Sequence, residues 1–306
     1  MSSLSRIHIL AYCFLCLVWG STWLAIRIVV QDVPPFKAAA VRFVAAAVIL
    51  MVWAAFCRAP MPKPGPQWNA TVVLSFTMMA LPYGLLFWAE QFVNSSTTAV
   101  LYSALPLTVS LLTPLMTGGR VPRRAVFCML VAFGGLLMLF YTDLAASRRS
   151  LAGGLCVLVA VLSSSWSSVY AKKRLHDVDP VVSTGLQLAL GSVALLWATW
   201  ALESHARTVW TRPAVLAMVF LITFGSAGAF AVYYWLLKHI HAYQISTISL
   251  VVPVIAVLEG SLIRGEHVPL LMVVAMLVVL GAVGTVLQAD ARTSEILSIQ
   301  SEEARG

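Results

Sequence analysis

The chain has 306 residues, of which 60% are hydrophobic and only 10% are charged. Soluble domains carry about 25% charged residues, so a water-soluble fold could not cover this much apolar surface. The net charge of +8 fits basic loops at the surface of a lipid bilayer, and no segment interleaves basic and aromatic residues as nucleic-acid binding would require. The composition therefore predicts an all-α polytopic membrane protein without a nucleic-acid partner.

Cysteine and histidine usage indicates neither a disulfide framework nor a metal site. The five cysteines lie in or at the ends of apolar segments, and an odd, buried set does not form a framework. Cys13 and Cys16 make a C-x-x-C inside an apolar run, where they resemble small hydrophobic residues. His239 and His241 lack a third ligand. No metal and no cofactor is expected.

Apolar runs follow one another along the whole chain. A helix needs roughly 20 apolar residues to cross a bilayer, and ten runs approach that length. They cover approximately residues 8–30, 36–56, 68–88, 95–117, 124–141, 151–171, 181–202, 213–236, 242–263 and 269–288. The first run is too long for a signal peptide and lacks an A-x-A cleavage site, so we expect a retained span. Residues 289–306 form a polar tail that we expect to be disordered.

A long repeat organises these runs. Trp88 and Pro106 recur as Trp235 and Pro253 at one offset (235 − 88 = 147; 253 − 106 = 147). A fixed long period indicates two copies of one unit, here residues 7–141 and 151–288. Because five runs per copy is an odd number, the copies must cross the membrane in opposite orientations. This predicts ten helices arranged as two inverted five-helix repeats, with the site between them near the bilayer midplane.

The distribution of basic residues predicts the orientation. With a cytoplasmic N-terminus, ten loop lysines and arginines face the cytoplasm and seven face the opposite side, before the tail is counted. The clusters at 120–124 and 172–174 fall on the cytoplasmic side. Positively charged loops favour the cytoplasm, so both termini are predicted to be cytoplasmic, in the cell membrane.

Several short motifs resemble one known family. Trp19-Gly20-Ser21-Thr22-Trp23 in the first run is similar to the opening of EamA-type transporters of the drug/metabolite transporter superfamily. Arg42 matches the arginine that this family carries in its second helix. Further matching segments are Ala89-Glu90-Gln91, Ala104-Leu105-Pro106 and Gly265-Glu266. One departure is that Gly119 stands where the first half would carry the equivalent of Glu266.

The resemblance implies a ten-span carrier with alternating access and a central cavity. Members of this family move amino acids, sugars, nucleotide derivatives and drugs, so the resemblance alone does not select the substrate. It implies a small-molecule substrate and a lipid bilayer as partners, and it leaves open a monomer or a homodimer.

The W-G-S-T-W segment is the first candidate for substrate contacts. Trp19 and Trp23 are four residues apart and share a helix face, with Thr22 beside them. The alternative is a close-packed helix pair, since small residues let membrane helices approach. Trp166 is the repeat partner of Trp19 (166 − 19 = 147) and lies among five serines, at positions 163–165 and 167–168. A span this polar should face the interior.

Two charged residues stand inside apolar runs. A charge within a span costs at least about 2.5–3.5 kcal/mol, so it should face protein or water. Arg42 is either a contact to an anion or substrate, or a structural residue that ties helix-end carbonyls or extends to the membrane interface. Glu259 is either a proton-carrying coupling group or cation contact, or a hydrogen-bonded structural carboxylate close to the interface.

Hydroxyl, amide and aromatic groups cluster around the two repeated prolines. Pro106 and Pro253 each remove a backbone donor and loosen their helices, which in a carrier frees carbonyls to face a cavity. The remaining candidates for substrate contacts are Tyr83, Tyr102, Tyr233, Gln244 and Ser249. Such a lining suits a small amphipathic organic solute better than a bare ion.

These observations together predict a secondary transporter of small organic metabolites, such as amino acids or related amphipathic solutes, with export as the expected direction and protons as a possible coupling ion. It is not expected to be an enzyme. One alternative is an integral-membrane enzyme that modifies lipids, although the acidic residues and histidines are scattered. The other is a channel, although rings of charged residues are missing from the sequence.

Overall fold

The computed structural model describes residues 5–93, 95–140, 148–264, 273–274 and 276–287. Helices and short connections account for this part of the chain, which contains no strand. The helices are α1 Arg6–Val30, α2 Pro35–Phe56, α3 Pro66–Ala89, α4 Ser95–Tyr102, α5 Leu105–Thr117, α6 Arg123–Phe140, α7 Arg148–Arg174, α8 Pro180–Glu203, α9 Arg212–His239, α10 Ala242–Ser246, α11 Ile248–Arg264 and α12 Met276–Leu287.

Seven helices in the described part of the chain are long and apolar enough to cross a membrane. They correspond to the first four predicted runs and to the sixth, seventh and eighth, with α4 and α5 together making the fourth. The fifth, ninth and tenth runs contain α6, α10 with α11, and α12. The structure thus confirms an all-helical polytopic membrane protein, while the count of ten spans stays a prediction.

Prolines mark where many of these helices begin. A proline occupies the first or second position of α2, α3, α5, α8 and α9. The N–H groups in the first turn of a helix have no acceptor within that helix, so proline, which lacks an N–H, loses no hydrogen bond there. Its fixed φ also suits a helix. Pro106 is therefore the second residue of α5, and the break in the fourth run comes just before it, whereas Pro253 lies inside α11.

The third span of each half contains a π-helical turn, here called a π turn. The turns cover Ser75–Ala80 in α3 and Thr223–Gly228 in α9, 148 residues apart (223 − 75 = 148) and so within one residue of the repeat offset of 147. A π turn interrupts the regular backbone bonding and often marks a functional site. Equivalent carbonyls in the two turns accept side-chain hydrogen bonds: Thr77 from Ser163 at 2.6 Å, and Gly225 from Arg42 at 3.0 Å.

Helices α2 and α8 pack closely because small residues line their contact. A Cβ atom on Gly185 would lie 2.8 Å from the sulfur of Met51, and one on Gly191 would lie 2.6 Å from the backbone oxygen of Ser75 in α3. Small residues of this kind let membrane helices approach.

Trp53 and Trp200 are exposed on the outer sides of α2 and α8, each in the last turn of its helix. Because Glu203 at the end of α8 contacts Phe36 at the start of α2, the two helices are antiparallel and these tryptophans lie at opposite faces of the bundle. This is expected of aromatic residues at the two membrane interfaces.

Hydrogen bonds between loops and helix ends identify the two faces of the helix bundle. At the first face, Arg27 donates to the carbonyl of Glu90, and the N–H of Val209 donates to the carbonyl of Asp32 at 3.0 Å. At the second face, Lys172 donates to the carbonyls of Leu237 and Ile240. These contacts place the end of α1 at the first face and the end of α7 at the second face.

The start of α1 also lies at the second face. The ring of His8 in its first turns lies 5.1 Å from the ring of His239, the last residue of α9. Lys173 of α7 reaches the carbonyl of Met116 in α5 at the same face, at 3.2 Å. Helix α1 therefore runs from the second face to the first, and α7 ends where α1 begins.

Candidate functional site

A cavity lies between the two halves of the chain. Helices α1, α3, α4 and α5 of the first half and α7, α9, α10 and α11 of the second half contribute to its lining. It contains about 780 Å³ of empty space, counted with the space at its mouth. None of the described residues that line it carries a charge. A neutral, mostly apolar lining of this kind is typical of a site for a small organic molecule.

Aromatic rings in edge contact form much of the wall. Trp19 and Tyr83 each contact the ring of Phe230, with 5.7 Å between ring centroids in both pairs. Trp23 contacts the ring of Tyr102 edge-on, also at 5.7 Å. Such edge contacts hold large flat side chains in defined orientations, so the cavity has a rigid aromatic wall built from both halves.

Hydroxyl groups on α7 supply the polar part of the lining. Tyr102 donates to Ser164 at 2.9 Å, and Tyr233 donates to Ser168 at 2.9 Å. Ser168 in turn donates to the carbonyl of Ser164 within the helix at 2.8 Å. The two tyrosine hydroxyls, from α4 and α9, are thereby fixed against one turn of α7.

The rest of the serine-rich segment also faces the interior, as the sequence predicted. Ser165 and Ser167 are buried, and Ser167 donates to the hydroxyl of Thr77 at 2.8 Å. These hydroxyls find partners in neighbouring helices, which removes the cost of placing them in a membrane.

Most of the residues that the sequence analysis proposed for substrate contact meet at this cavity. The lining includes Trp19, Thr22, Trp23, Tyr83, Tyr102, Tyr233 and Ser249. Gly20, from the same W-G-S-T-W segment, instead packs on Ile255 of α11, where an added Cβ would lie 2.5 Å from a side-chain carbon. The segment thus forms both a cavity wall, through Trp19 and Trp23, and a close helix contact, through Gly20.

Arg42 lies behind the wall rather than in it. Its side chain is 1% exposed, and its guanidinium carbon lies 5.1 Å from the ring centroid of Tyr83, which does line the cavity. Nε donates to the hydroxyl of Ser226 at 2.6 Å, and Nη2 donates to the carbonyl of Gly225 at 3.0 Å. Arg42 therefore ties α2 to the π turn of α9.

Trp166 and Gln244 also lie outside the described lining of the cavity. The ring of Trp166 stacks on the ring of Tyr170, one turn along α7, at 4.7 Å. The side-chain oxygen of Gln244 accepts the N–H of His241 at 3.0 Å and so caps the start of α10. Its amide nitrogen lies 3.3 Å from the carbonyl of Leu287 in α12. Both residues make structural contacts in this conformation.

The predicted coupling residue falls where the structure describes only the backbone. Glu259 belongs to α11, and its side chain lies outside the described residues, as does all of Glu266. The coupling role of Glu259 therefore stays a prediction.

Several residues that line the cavity were not proposed as substrate contacts, and for three of them the sequence pattern indicates the position. Phe230 is the repeat partner of Tyr83 (230 − 83 = 147), so the period itself would have found it. Ser164 and Ser168 belong to the serine-rich segment that had been expected to face the interior. Four residues separate them, which places them on one face of a helix.

Comparison with known proteins decides the family. The sequence profile of the EamA-like transporter family matches residues 6–141 and again residues 151–288. The chain belongs to the EamA-like transporter family. The two matches together cover most of the chain and divide it where the sequence repeat does.

Two relatives in this family are named as transporters, and a third has a name that states no function. One is "Uncharacterized transporter YoaV" of Bacillus subtilis, 28% identical over 86% of this chain and 90% of the relative. A second is "Uncharacterized inner membrane transporter YedA" of Escherichia coli K12, 28% identical over 82% of this chain and 81% of the relative. "Protein PagO" of Salmonella typhimurium is 26% identical over 79% and 80% of the two chains.

A solved crystal structure has the same fold. It aligns with a TM-score of 0.77 over 95% of this chain and all of the other chain, at 20% sequence identity. At this identity the likeness concerns the fold. The family and the helices together identify this EamA-like protein as a multi-pass membrane transporter.

Proposed function

We propose that this EamA-like protein is a secondary carrier of small organic metabolites, such as amino acids or related amphipathic solutes, in the cell membrane. It works by alternating access, with both termini in the cytoplasm and with export as the direction to be tested. Two inverted five-helix repeats enclose the substrate between them.

The cavity is the observation that carries this proposal. It is built from both halves, and its wall combines the aromatic rings of Trp19, Trp23 and Phe230 with hydroxyl groups on α7. Aromatic faces contact the apolar body of a solute, and hydroxyls form hydrogen bonds with its polar groups. A bare ion would instead need charged groups or converging carbonyls, and the described lining offers no charged side chain.

Contacts between the halves support the inverted arrangement. Helix α7, the sixth predicted span, ends at the face where α1 begins, so the equivalent first helices of the two halves run in opposite directions. The π turn of each half is bonded by a side chain of the other half, Ser163 of α7 in one case and Arg42 of α2 in the other. Two units joined in this way can rock against each other around a central site.

Counterflow in proteoliposomes tests the proposal. Vesicles are loaded with candidate unlabelled solutes, and uptake of the same labelled solute at trace concentration is followed. A carrier accelerates exchange of its substrate, whereas a channel only equilibrates it. Uptake that shows no exchange acceleration for any solute would contradict the carrier mechanism, and chemical conversion of the solute would indicate an enzyme.

A pair of tryptophan variants provides a matched control for the site. Trp23→Leu removes an aromatic wall of the cavity and should lower counterflow at least tenfold. Trp200→Leu removes a tryptophan that is 72% exposed on the outside of α8 and should leave counterflow unchanged. Equal activity of both variants would show that the cavity is not the transport site.

A further inference from the structure

We infer that the cavity takes solutes with an anionic end, a carboxylate being the simplest, and that the buried charge of Arg42 orients this end toward Tyr83. This inference rests on the proposed transport function and narrows its substrate class. It assigns to Arg42 a positioning role from behind the cavity wall.

The charge of Arg42 has no compensating acid in the described part of the chain. Its hydrogen-bond partners, the hydroxyl of Ser226 and the carbonyl of Gly225, are neutral. Among the described residues, no carboxylate lies within salt-bridge distance of this guanidinium. Neutral acceptors satisfy donors without cancelling a charge, so the positive potential of a buried guanidinium extends into its surroundings.

One nitrogen of the guanidinium also lacks an acceptor. Nη1 of Arg42 is buried and has no hydrogen-bond partner among the residues that the structure describes. A buried donor of this kind is costly to leave unmet. The rings of Phe43, Tyr83 and Phe87 lie 5.1–5.8 Å from the guanidinium carbon. They stabilise a cation with their faces but carry no net charge, so the positive field remains.

The path from this charge to the cavity is short. Tyr83 has the guanidinium 5.1 Å from its ring centroid and is itself part of the lining. Thr22, also in the lining, lies against Gly225, and a Cβ on that glycine would be 3.0 Å from the Thr22 methyl carbon and 3.4 Å from Nη2 of Arg42. One layer of side chains therefore separates the charge from the solute, in surroundings that screen charges weakly.

The described lining of the cavity has no charge that would oppose this field. These lining residues are all neutral, so the charge behind Tyr83 gives this part of the cavity a positive potential. An anionic end is drawn toward Tyr83, while a solute whose only charge is positive is repelled. The apolar body of the solute then lies along the aromatic wall formed with Trp19 and Phe230.

A purely structural Arg42 makes a different prediction. If the arginine only ties α2 to the π turn of α9, its replacement lowers the amount of folded protein and leaves the ranking of solutes unchanged. Selectivity between matched solutes therefore separates the two roles.

The test measures binding of matched probes by thermal stabilisation of the full-length protein purified in detergent. A ligand stabilises the folded state by an amount that grows with the logarithm of its concentration over Kd, so titration of each probe gives its affinity. The probes are leucine against leucinamide, methionine against methioninamide, and phenylalanine against phenylalaninamide. Each pair differs in whether the carboxylate is present. The wild type should bind the carboxylate member of at least one pair about tenfold or more tightly than its amide.

Variants locate the source of this preference. Arg42→Met should bring the ratio close to one, whereas Arg42→Lys, which keeps the charge, should preserve a preference of several-fold. Ser226→Ala removes the hydroxyl that holds Arg42 but leaves its charge, and it should keep the ratio of the wild type. It also provides the control for a weakened tie between α2 and α9, since the bond from Arg42 to the carbonyl of Gly225 remains.

The outcomes are distinct. A wild-type ratio near one in every pair, or no binding of any probe, overturns the inference, as does an unchanged ratio in Arg42→Met. If Arg42→Met does not fold, the inference is still tested by the affinity ratio of carboxylate to amide in the wild type and in Arg42→Lys. Selective binding without counterflow would contradict the transport function alone, and counterflow without selectivity would contradict this inference alone.

Discussion

The carboxylate of Glu203 joins the two halves at the first face of the bundle. Glu203, the last residue of α8, accepts the backbone N–H groups of Phe36 at 2.9 Å and Lys37 at 2.8 Å, and so caps the start of α2. Helix α2 has no cap of its own at Pro34. In the second half, Asp179 caps its own helix α8. Helices α2 and α8 begin 145 residues apart (180 − 35 = 145). The position in the first half that corresponds to Glu203 is therefore Arg58 (203 − 145 = 58), so this cross-half cap has no counterpart of the same charge.

We predict that Glu203→Ala lowers the melting temperature of the purified protein, because two backbone donors lose their acceptor. Loss of a helix cap costs about 0.5–2 kcal/mol, and the favourable position of a negative charge at the positive helix end is lost too. Glu203→Gln keeps one acceptor and should lose less. Thermal denaturation in detergent measures both. Asp179→Ala is the control for a cap within one half, and a melting temperature unchanged in Glu203→Ala would contradict the capping role.

At the scale of helices, the π turn of α3 depends on a glycine in another helix. Gly191 of α8 lies so close to this turn that an added Cβ would be 2.6 Å from the carbonyl oxygen of Ser75 and 3.1 Å from the Cβ of Met79. The nearer atom belongs to the backbone and cannot rotate away. Any side chain at position 191 must therefore push α8 and α3 apart.

Gly191→Ala should accordingly destabilise the protein by about 1–3 kcal/mol, the usual range for overpacking, and reduce the folded yield. Gly134→Ala is the matched control, since nothing lies within 4 Å of a Cβ built on that glycine of α6. Alanine is favoured over glycine inside a helix by about 1 kcal/mol, so this control should be neutral or stabilising. Fluorescence-detected size-exclusion chromatography after heating compares the two variants. Equal stability would show that α3 and α8 adjust freely.

At the scale of the whole molecule, the orientation in the membrane is open to direct measurement. We predict cytoplasmic termini, with the loop around residues 148 and 149 on the opposite side. Single cysteines are introduced there and near residue 173 in a background without the native cysteines, and intact cells are treated with an impermeant thiol reagent. Position 148 should react in intact cells and position 173 only after permeabilisation. The reverse pattern would invert the orientation proposed here.

Energy coupling also belongs to the whole molecule, because it links the solute to motion of the two halves. If Glu259 carries a proton across as the halves rock, solute uptake into vesicles should respond to an imposed pH gradient. Glu259→Gln should abolish that response while leaving exchange of solute intact, since the amide cannot release a proton at this step. Uptake with and without the gradient measures this for both forms. A gradient response retained in Glu259→Gln would remove this residue from the coupling mechanism.

Some features of this protein follow from sequence alone because they depend on local chemistry and on period. The shortage of charge predicted a membrane protein, and the apolar runs 36–56 and 181–202 predicted α2 and α8 to within one residue of their starts. The W-G-S-T-W segment and the three candidate tyrosines supplied six of the residues that line the cavity. The repeat even relates Tyr83 to Phe230, two residues that contact each other across the site.

Other features were decided by tertiary structure, because a sequence gives the depth of a residue in a helix but not the direction in which packing turns it. Trp19 and Trp166 share a repeat position, yet the first lines the cavity and the second stacks on Tyr170. Arg42 was predicted to face protein or water, but its place behind Tyr83 depends on the π turn of α9, 183 residues away along the chain. The partners that fix such groups come together only when the halves pack, and this packing determines which side chains reach the solute.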